Sequence, residues 1–260
     1  MTFAVEGVTV RLDGRAIVED VSFEVRSGDR VVIVGVNGCG KTTLLRLLDG
    51  LAFADAGAVS YEGRRLDAAA LEEPAFRRTF RGDVGLLFQN VDAMLFNPTV
   101  EDEIAFGPRQ LGQDDVRGRV ARWAETFDVA GLLERAPFEL SGGEKKRVAL
   151  AALLAVEPRV LLLDEPTANL DPASAARLVD VLAGIRGLTV VASTHNLSMA
   201  SELGERAVLL APRRKGVLHD GLVHHLLENE VLLVESGLAH RHAHKHGGAV
   251  HAHYHVHDSE

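Results

Sequence analysis

"GVNGCGKTT", residues 35–43, is the stretch from which the rest of the chain is read. Gly35, Val36, Asn37, Gly38, Cys39, Gly40, Lys41 and Thr42 satisfy the spacing G-x-x-x-x-G-K-[ST] at every fixed position, and Thr43 follows. The flanks agree with the motif. "RVVIVG" (30–35) is a short, apolar, β-branched run, and "KTTLLRLLDGL" (41–51) has helical periodicity. A strand, a glycine-rich loop and a helix in this order form a phosphate cradle. The glycines let backbone N–H groups wrap an anion, and the helix start adds favourable partial charge. Lys41 supplies a point charge for β- and γ-phosphates, and the Thr42 hydroxyl a ligand for Mg²⁺. The motif leaves position 39 free, so Cys39 is expected only to fill space.

Apolar runs like the first recur at "DVGLLF" (83–88), "RVLLLDE" (159–165), "LTVVAST" (188–194) and "RAVLLA" (206–211), with helical patterns such as "PASAARLVDVLAGI" (172–185) between most of them. Strands buried on both faces and alternating with helices predict an α/β core with a mostly parallel, RecA-like sheet. Ahead of it, "FAVEGVTVRL" (3–12) and "IVEDVSFEVRSG" (17–28) alternate partially and end in turn signals, which predicts an N-terminal antiparallel β-subdomain. The rhythm breaks over about residues 99–155, read as a helical subdomain insertion. There Val116, Val120, Trp123, Ala124 and Phe127 share one helical face, and Trp123 reads as its core. The expected division is an ATPase domain over 1–239 and a disordered, histidine-rich tail over 240–260.

The formal net charge of −9 gives no overall basic footprint, so no nucleic-acid partner is expected. A single cysteine without a cleavable apolar leader fits a reducing compartment. No stretch approaches the roughly 18 to 20 apolar residues of a membrane helix, so any membrane role needs a partner.

Two further segments carry chemistry. "VLLLDEP" (160–166) delivers Asp164 and Glu165 at the end of a buried strand. Asp164 suits Mg²⁺, and Glu165 suits the orientation and deprotonation of an attacking water. "LSGGEKKR" (140–147) places Ser141 and Glu144 in capping-box spacing, with Gly142 and Gly143 leaving the helix start open to close approach by a phosphate. Since the cradle already binds phosphate in its own subunit, a second such helix start makes best sense facing ATP held by another subunit.

"GVNGCGKTT", "LSGGEKKRVALAALLAVEPRVLLLDEPTANLDP" and "STHN", in this order and spacing over roughly residues 3 to 237, resemble the ATP-binding subunits of ABC transporters. The resemblance implies a head-to-tail homodimer or heterodimer holding two ATP, each between one subunit's cradle and the other's Ser141–Gly143. It implies that Gln89 senses the γ-phosphate and Mg²⁺, that His195 polarises the γ-phosphate, and that Asn169 to Asp171 couple the sites. "VGLLFQNVDAMLFNPTVEDEIAFGPRQLG" is similar to the energy-coupling-factor ATPases, above all the cobalt/nickel branch. That implies a peripheral place on the cytoplasmic face of the membrane, with residues 89–107 receiving a transmembrane energy-coupling subunit beside a substrate-binding membrane subunit. Two departures stand out. Leu12, beside Arg11, replaces the aromatic that usually stacks on adenine, and Asn196 follows His195 where Asp is common.

The chain closes with two combs: His240, His242, His244, His246, then His251, His253, His255, His257. Extended, each comb sets its histidines to one side; helical, it gives i, i+4 pairs. Imidazole suits Ni²⁺, Co²⁺, Zn²⁺ and Cu²⁺, and nothing within the combs chooses strongly among them. The combs and the cobalt/nickel-like core point to one cargo, a transition metal that the tail buffers or senses. Alternatives are a vitamin or amino-acid importer, a non-transport ABC ATPase acting on nucleic acid or ribosomes, and a metal-storage protein with a vestigial nucleotide site.

Overall fold

The computed structural model describes residues 1–212, 216–246 and 249–256, with backbone alone from 240 onward. The described residues fall into two compact units, Met1–Ala68 with Val190–Glu260 and Ala69–Thr189.

The first unit opens with β1 (Phe3–Leu12) and β2 (Arg15–Val25), an antiparallel hairpin. β3 (Arg30–Val34) follows, then α1 (Lys41–Leu48), β4 (Ala56–Tyr61) and the short β5 (Arg64–Arg65). β4 pairs with β1 and β5, giving an antiparallel sheet of order β2-β1-β4-β5. Its register sets Phe3 opposite both Val25 and Tyr61, and Val5 opposite both Phe23 and Val59. All six are buried, so one face of the sheet is apolar. β3 is buried throughout from Val31 to Val34, and Leu44, Leu45, Leu47 and Leu48 give α1 its buried stripe.

The second unit begins within α2 (Ala68–Glu72) and contains α3 (Pro74–Asp83), β6 (Val84–Leu87), α4 (Val100–Leu111), α5 (Val116–Thr126), α6 (Gly142–Ala155), β7 (Val160–Asp164) and α7 (Pro172–Gly184). β6 and β7 are parallel, with Leu87 opposite Leu163. α4, α5 and α6 pack on one another. Val120, Trp123, Ala124 and Phe127 are buried, and Trp123 stacks on Phe127 with ring centroids 6.2 Å apart, a packing role as expected. Val116 is only half-buried.

The chain returns to the first unit with β8 (Thr189–Thr194), α8 (Leu197–Leu203), β9 (Arg206–Leu210), β10 (Val217–Leu222), α9 (Val223–Leu227) and α10 (Glu230–Glu235). β3 lies between β8 and β9, parallel to both, and β10 adds antiparallel to β9. The expected α/β core and N-terminal antiparallel sheet are both present.

In the tail, β11 (Ala239–His246) and β12 (Ala249–Val256) lie as an antiparallel pair. Alternation of every second residue is a strand's period. His240, His242 and His244 stand opposite His255, His253 and His251. His257 lies outside the described residues.

Leu162 in β7 is fully buried. Leu162→Ala is expected to lower unfolding free energy by about 2–5 kcal/mol in urea titration. A loss under about 1 kcal/mol would contradict the packing of this strand.

Candidate functional site

In each unit, several of the residues singled out from the sequence follow the carboxyl ends of parallel strands, where open α/β sheets bind ligands. In the first unit, Val34 of β3 is in register with Thr194 of β8. The residues that follow them, Gly35 and His195, therefore leave neighbouring strands at the same level. In the second unit, Leu87 of β6 and Leu163 of β7 are likewise opposed, bringing Gln89 and the Asp164–Glu165 pair to one edge.

The loop between β3 and α1 is shaped by space and by helix ends. A side chain at Gly35 would place its Cβ 2.6 Å from Cys39 Sγ, and one at Gly40 would come 2.4 Å from Val18 Cγ1. Gly40 is the N-cap of α1 at φ 108°, a left-handed conformation, and it has no side chain to satisfy the first N–H groups of the helix. Acidic residues are absent from that first turn. The helix start is thus open to an anion. Lys41 is 6% exposed and donates from Nζ to Gly35 O at 2.8 Å and to Val36 O at 3.4 Å, folding over the loop. Cys39 is buried against Gly35, which fits the space-filling role. The N–H groups of the helix start, a buried ammonium and the Thr42 hydroxyl at the second helical position form a donor set that fits a polyphosphate and its Mg²⁺.

His195 and Asn196 follow β8 and are half-buried. Asn196 caps α8, its side chain accepting from Met199 N at 3.2 Å, while its own N–H donates to Thr194 Oγ1 at 3.0 Å. Asn and Asp cap helices equally well. This departure from the family pattern removes a charge and keeps the cap. Leu12 ends β1 beside a turn in which Asp13 and Gly14 have positive φ, and it is 64% exposed, available to an apolar surface.

In the second unit Asp164 and Glu165 are buried, a rare placement for carboxylates. Glu165 has φ 47° and Asn169 φ 62°, left-handed conformations unusual for these side chains, at either end of the turn that leaves β7. Ser141 forms the capping box as read. Its hydroxyl accepts from Glu144 N at 3.4 Å, and its own N–H donates to Glu144 Oε2 at 2.8 Å. The Ser141 hydroxyl and then the Ser141 N–H hold the Glu144 carboxyl below its usual range. A Cβ at Gly142 would meet nothing within 4 Å, so the start of α6 is open. At α7, Asp171 is the N-cap, and the Ser174 hydroxyl and N–H hold its carboxyl low.

Two residues here escaped the sequence reading. Lys146, one turn into α6, is buried and donates to Glu165 O at 3.1 Å and to Ala168 O at 2.5 Å. Burial pushes its amine down to about 8, against the pull of the Glu165 and then Asp164 carboxylates. Glu103 of α4 is buried and accepts from the N–H groups of Phe96 and Asn97, and from Asn97 Nδ2 at 2.9 Å. It thereby fixes the loop on which Phe96, 66% exposed, meets Phe106 edge to face at 5.0 Å between centroids. The only sequence signal for either was a charge on an otherwise apolar helical face.

The family model described as ABC transporter matches residues 18–168, more than half of the chain. The chain belongs to the ABC transporter family. An ABC transporter ATP-binding protein of Methanosarcina acetivorans is 41% identical over 238 residues, covering 89% of this chain and 86% of the relative. The nickel import ATP-binding protein NikO of Rhodobacter capsulatus is 43% identical over 215 residues, covering 80% and 85%. Among solved structures, cbiO1 of Clostridium perfringens, part of the ABC transporter complex cbiONQ, matches with a TM-score of 0.75 and 26% identity over 90% of this chain and 92% of that one. As a member of this family the chain is an ATP-hydrolysing subunit of a transporter. No helix among the described residues is long and apolar enough to cross a membrane.

Gly40→Ala would force a Cβ into Val18 at an unfavourable φ. The expected outcome, read with a fluorescent ATP analogue, is a fall in affinity of about tenfold or more. Unchanged affinity would mean that the loop does not hold the phosphates.

Proposed function

We propose that this ATPase drives import of a transition-metal ion, nickel or cobalt, from the cytoplasmic face of the membrane as part of an energy-coupling complex. The observation that carries the reading is the pairing of paired histidine strands, His240, His242 and His244 opposite His255, His253 and His251, with a cassette similar to a nickel import protein. Imidazole is a common ligand of both metals.

In this reading the N–H groups of Gly38 to Thr43 and the Lys41 ammonium receive the phosphates, and Gly35, Val36 and Asn37 shape the loop. Leu12 packs on adenine. Glu165 takes the proton of the attacking water, and His195 donates to the γ-phosphate as charge develops there. Ser141, Gly142 and Gly143 of a second copy, or of a homologous ATPase subunit, close the site from the opposite side. Thr42, Gln89 and Asp164 are the residues to hold Mg²⁺, which when bound neutralises phosphate charge. The transmembrane energy-coupling subunit docks on residues 89–107, where Phe96 and Phe106 offer an aromatic patch held by Glu103. The substrate-binding membrane subunit selects the cargo. The tail binds the transition metal through its histidines.

Reconstituting the chain with its co-purifying membrane partner in vesicles tests the cargo. ATP-driven uptake of radioactive nickel or cobalt is expected, falling roughly 10²-fold or more in Glu165→Gln, the loss of a general base. Uptake of a vitamin or amino acid with indifference to metal would sink the metal reading. For the tail, titration with Ni²⁺, Co²⁺ and Zn²⁺ is expected to show extra equivalents in the full chain over a chain of residues 1–239. These should be lost below about pH 6, since free imidazole protonates near 6.5. Equal stoichiometry for both lengths would remove the tail from the account.

A further inference from the structure

One buried amine links two functional segments of the second unit. α6 begins with Ser141, Gly142 and Gly143, and one turn later Lys146 reaches the backbone that leaves β7. It bonds main-chain carbonyls at both ends of the turn over residues 165–168, which is itself closed by Ala168 N–H donating to Glu165 O at 3.2 Å. Along the same helix Gly143 approaches Asn169, whose carbonyl would lie 4.0 Å from a Cβ there. Helix and turn therefore touch at two points, and one of them is a charged donor.

That donor is an expensive choice. Lys146 is 3% exposed on a helix whose neighbouring Val148, Ala149 and Leu150 are buried and apolar. Burying an ammonium costs stability that a hydrophobic residue of similar length would not, so packing alone does not account for it. An ammonium has three donors in tetrahedral array and can hold two carbonyls at once. Its hold falls on Glu165, whose backbone is already in the left-handed region. A small shift of α6 is carried directly to the residue that orients water.

We propose that Lys146 is a positioning residue that couples the two nucleotide sites of the dimer, transmitting engagement of Ser141–Gly143 to Glu165 of the same subunit. The proposal rests on the reading in which Ser141–Gly143 serve the nucleotide held by the facing subunit and Glu165 serves the nucleotide of its own. ATP bound opposite α6 draws the helix start onto its phosphates, and Lys146 carries the displacement to the carbonyls of Glu165 and Ala168. Each site then turns over faster when the other closes. Lys145, next along the helix, instead pairs with Asp92 at 2.7 Å and lies outside this link.

The test uses the purified full chain and three variants. Lys146→Met keeps the apolar stem and removes the donors; Lys146→Gln keeps two donors on a shorter chain; Lys145→Gln is the control. ATPase rates over an ATP series yield kcat, KM and Hill coefficient, and the wild-type chain is expected to be cooperative. In Lys146→Met, kcat should fall about 3- to 30-fold, the span of coupling effects seen for residues that touch no ligand. KM should stay within about threefold while the Hill coefficient drops toward one. Lys146→Gln should be intermediate and Lys145→Gln like wild type. A folded Lys146→Met with wild-type kcat and cooperativity overturns the proposal, and so does a fall in kcat with cooperativity intact. If Lys146→Met does not fold, Lys146→Gln decides by the same criteria. Ser141→Arg separates the premises: full activity in that variant defeats the facing-dimer reading, whereas its inactivity beside a wild-type Lys146→Met defeats the link alone.

Discussion

An uncapped helix start is the constraint on which the rest depends. β3 ends at Val34 and α1 begins at Lys41, and the chain between them must turn sharply without side chains at Gly35 or Gly40. Gly40, the N-cap of α1, contributes no side-chain acceptor to the helix start. A helix start without a capping side chain favours an anion, and the Lys41 ammonium folds over the same loop. In the proposed function that anion is the phosphate of a nucleotide. Register then supplies the rest: β8, paired with β3, ends level with it and delivers His195.

Buried charge marks where function departs from stability. Lys41, Glu103, Lys146, Asp164 and Glu165 are buried in, or reach, the phosphate loop, the acidic turn or the aromatic loop held by α4, and Asp49 is buried at the C-cap of α1. Elsewhere the strands are filled with valine and leucine. Ionised groups taken out of water cost free energy that their partners only partly offset. All but Asp49 fall at segments to which the proposed function assigns a role.

The sequence made the loop legible because glycine and lysine at fixed spacing answer a backbone requirement that few other residues meet. The α/β core was legible because strands buried on both faces are wholly apolar, and Ser141 with Glu144 because a capping box is local. What escaped was non-local or conformational. Lys146 and Glu103 find their acceptors and donors in main chain distant in sequence or in an adjacent loop, so no pattern announces them. The left-handed Glu165 and Asn169 carry no glycine to flag the turn.

The central claim is that one subunit's loop and another's Ser141–Gly143 act on the same nucleotide. Mixing two inactive variants, Lys41→Met and Ser141→Arg, tests it most directly through ATPase rate. In the mixed dimer one composite site keeps both an intact loop and an intact helix start. The account predicts a rate well above the sum of the two variants alone, rising with the fraction of mixed dimer. A rate equal to that sum, with mixed dimers demonstrated in the same solution, would contradict it.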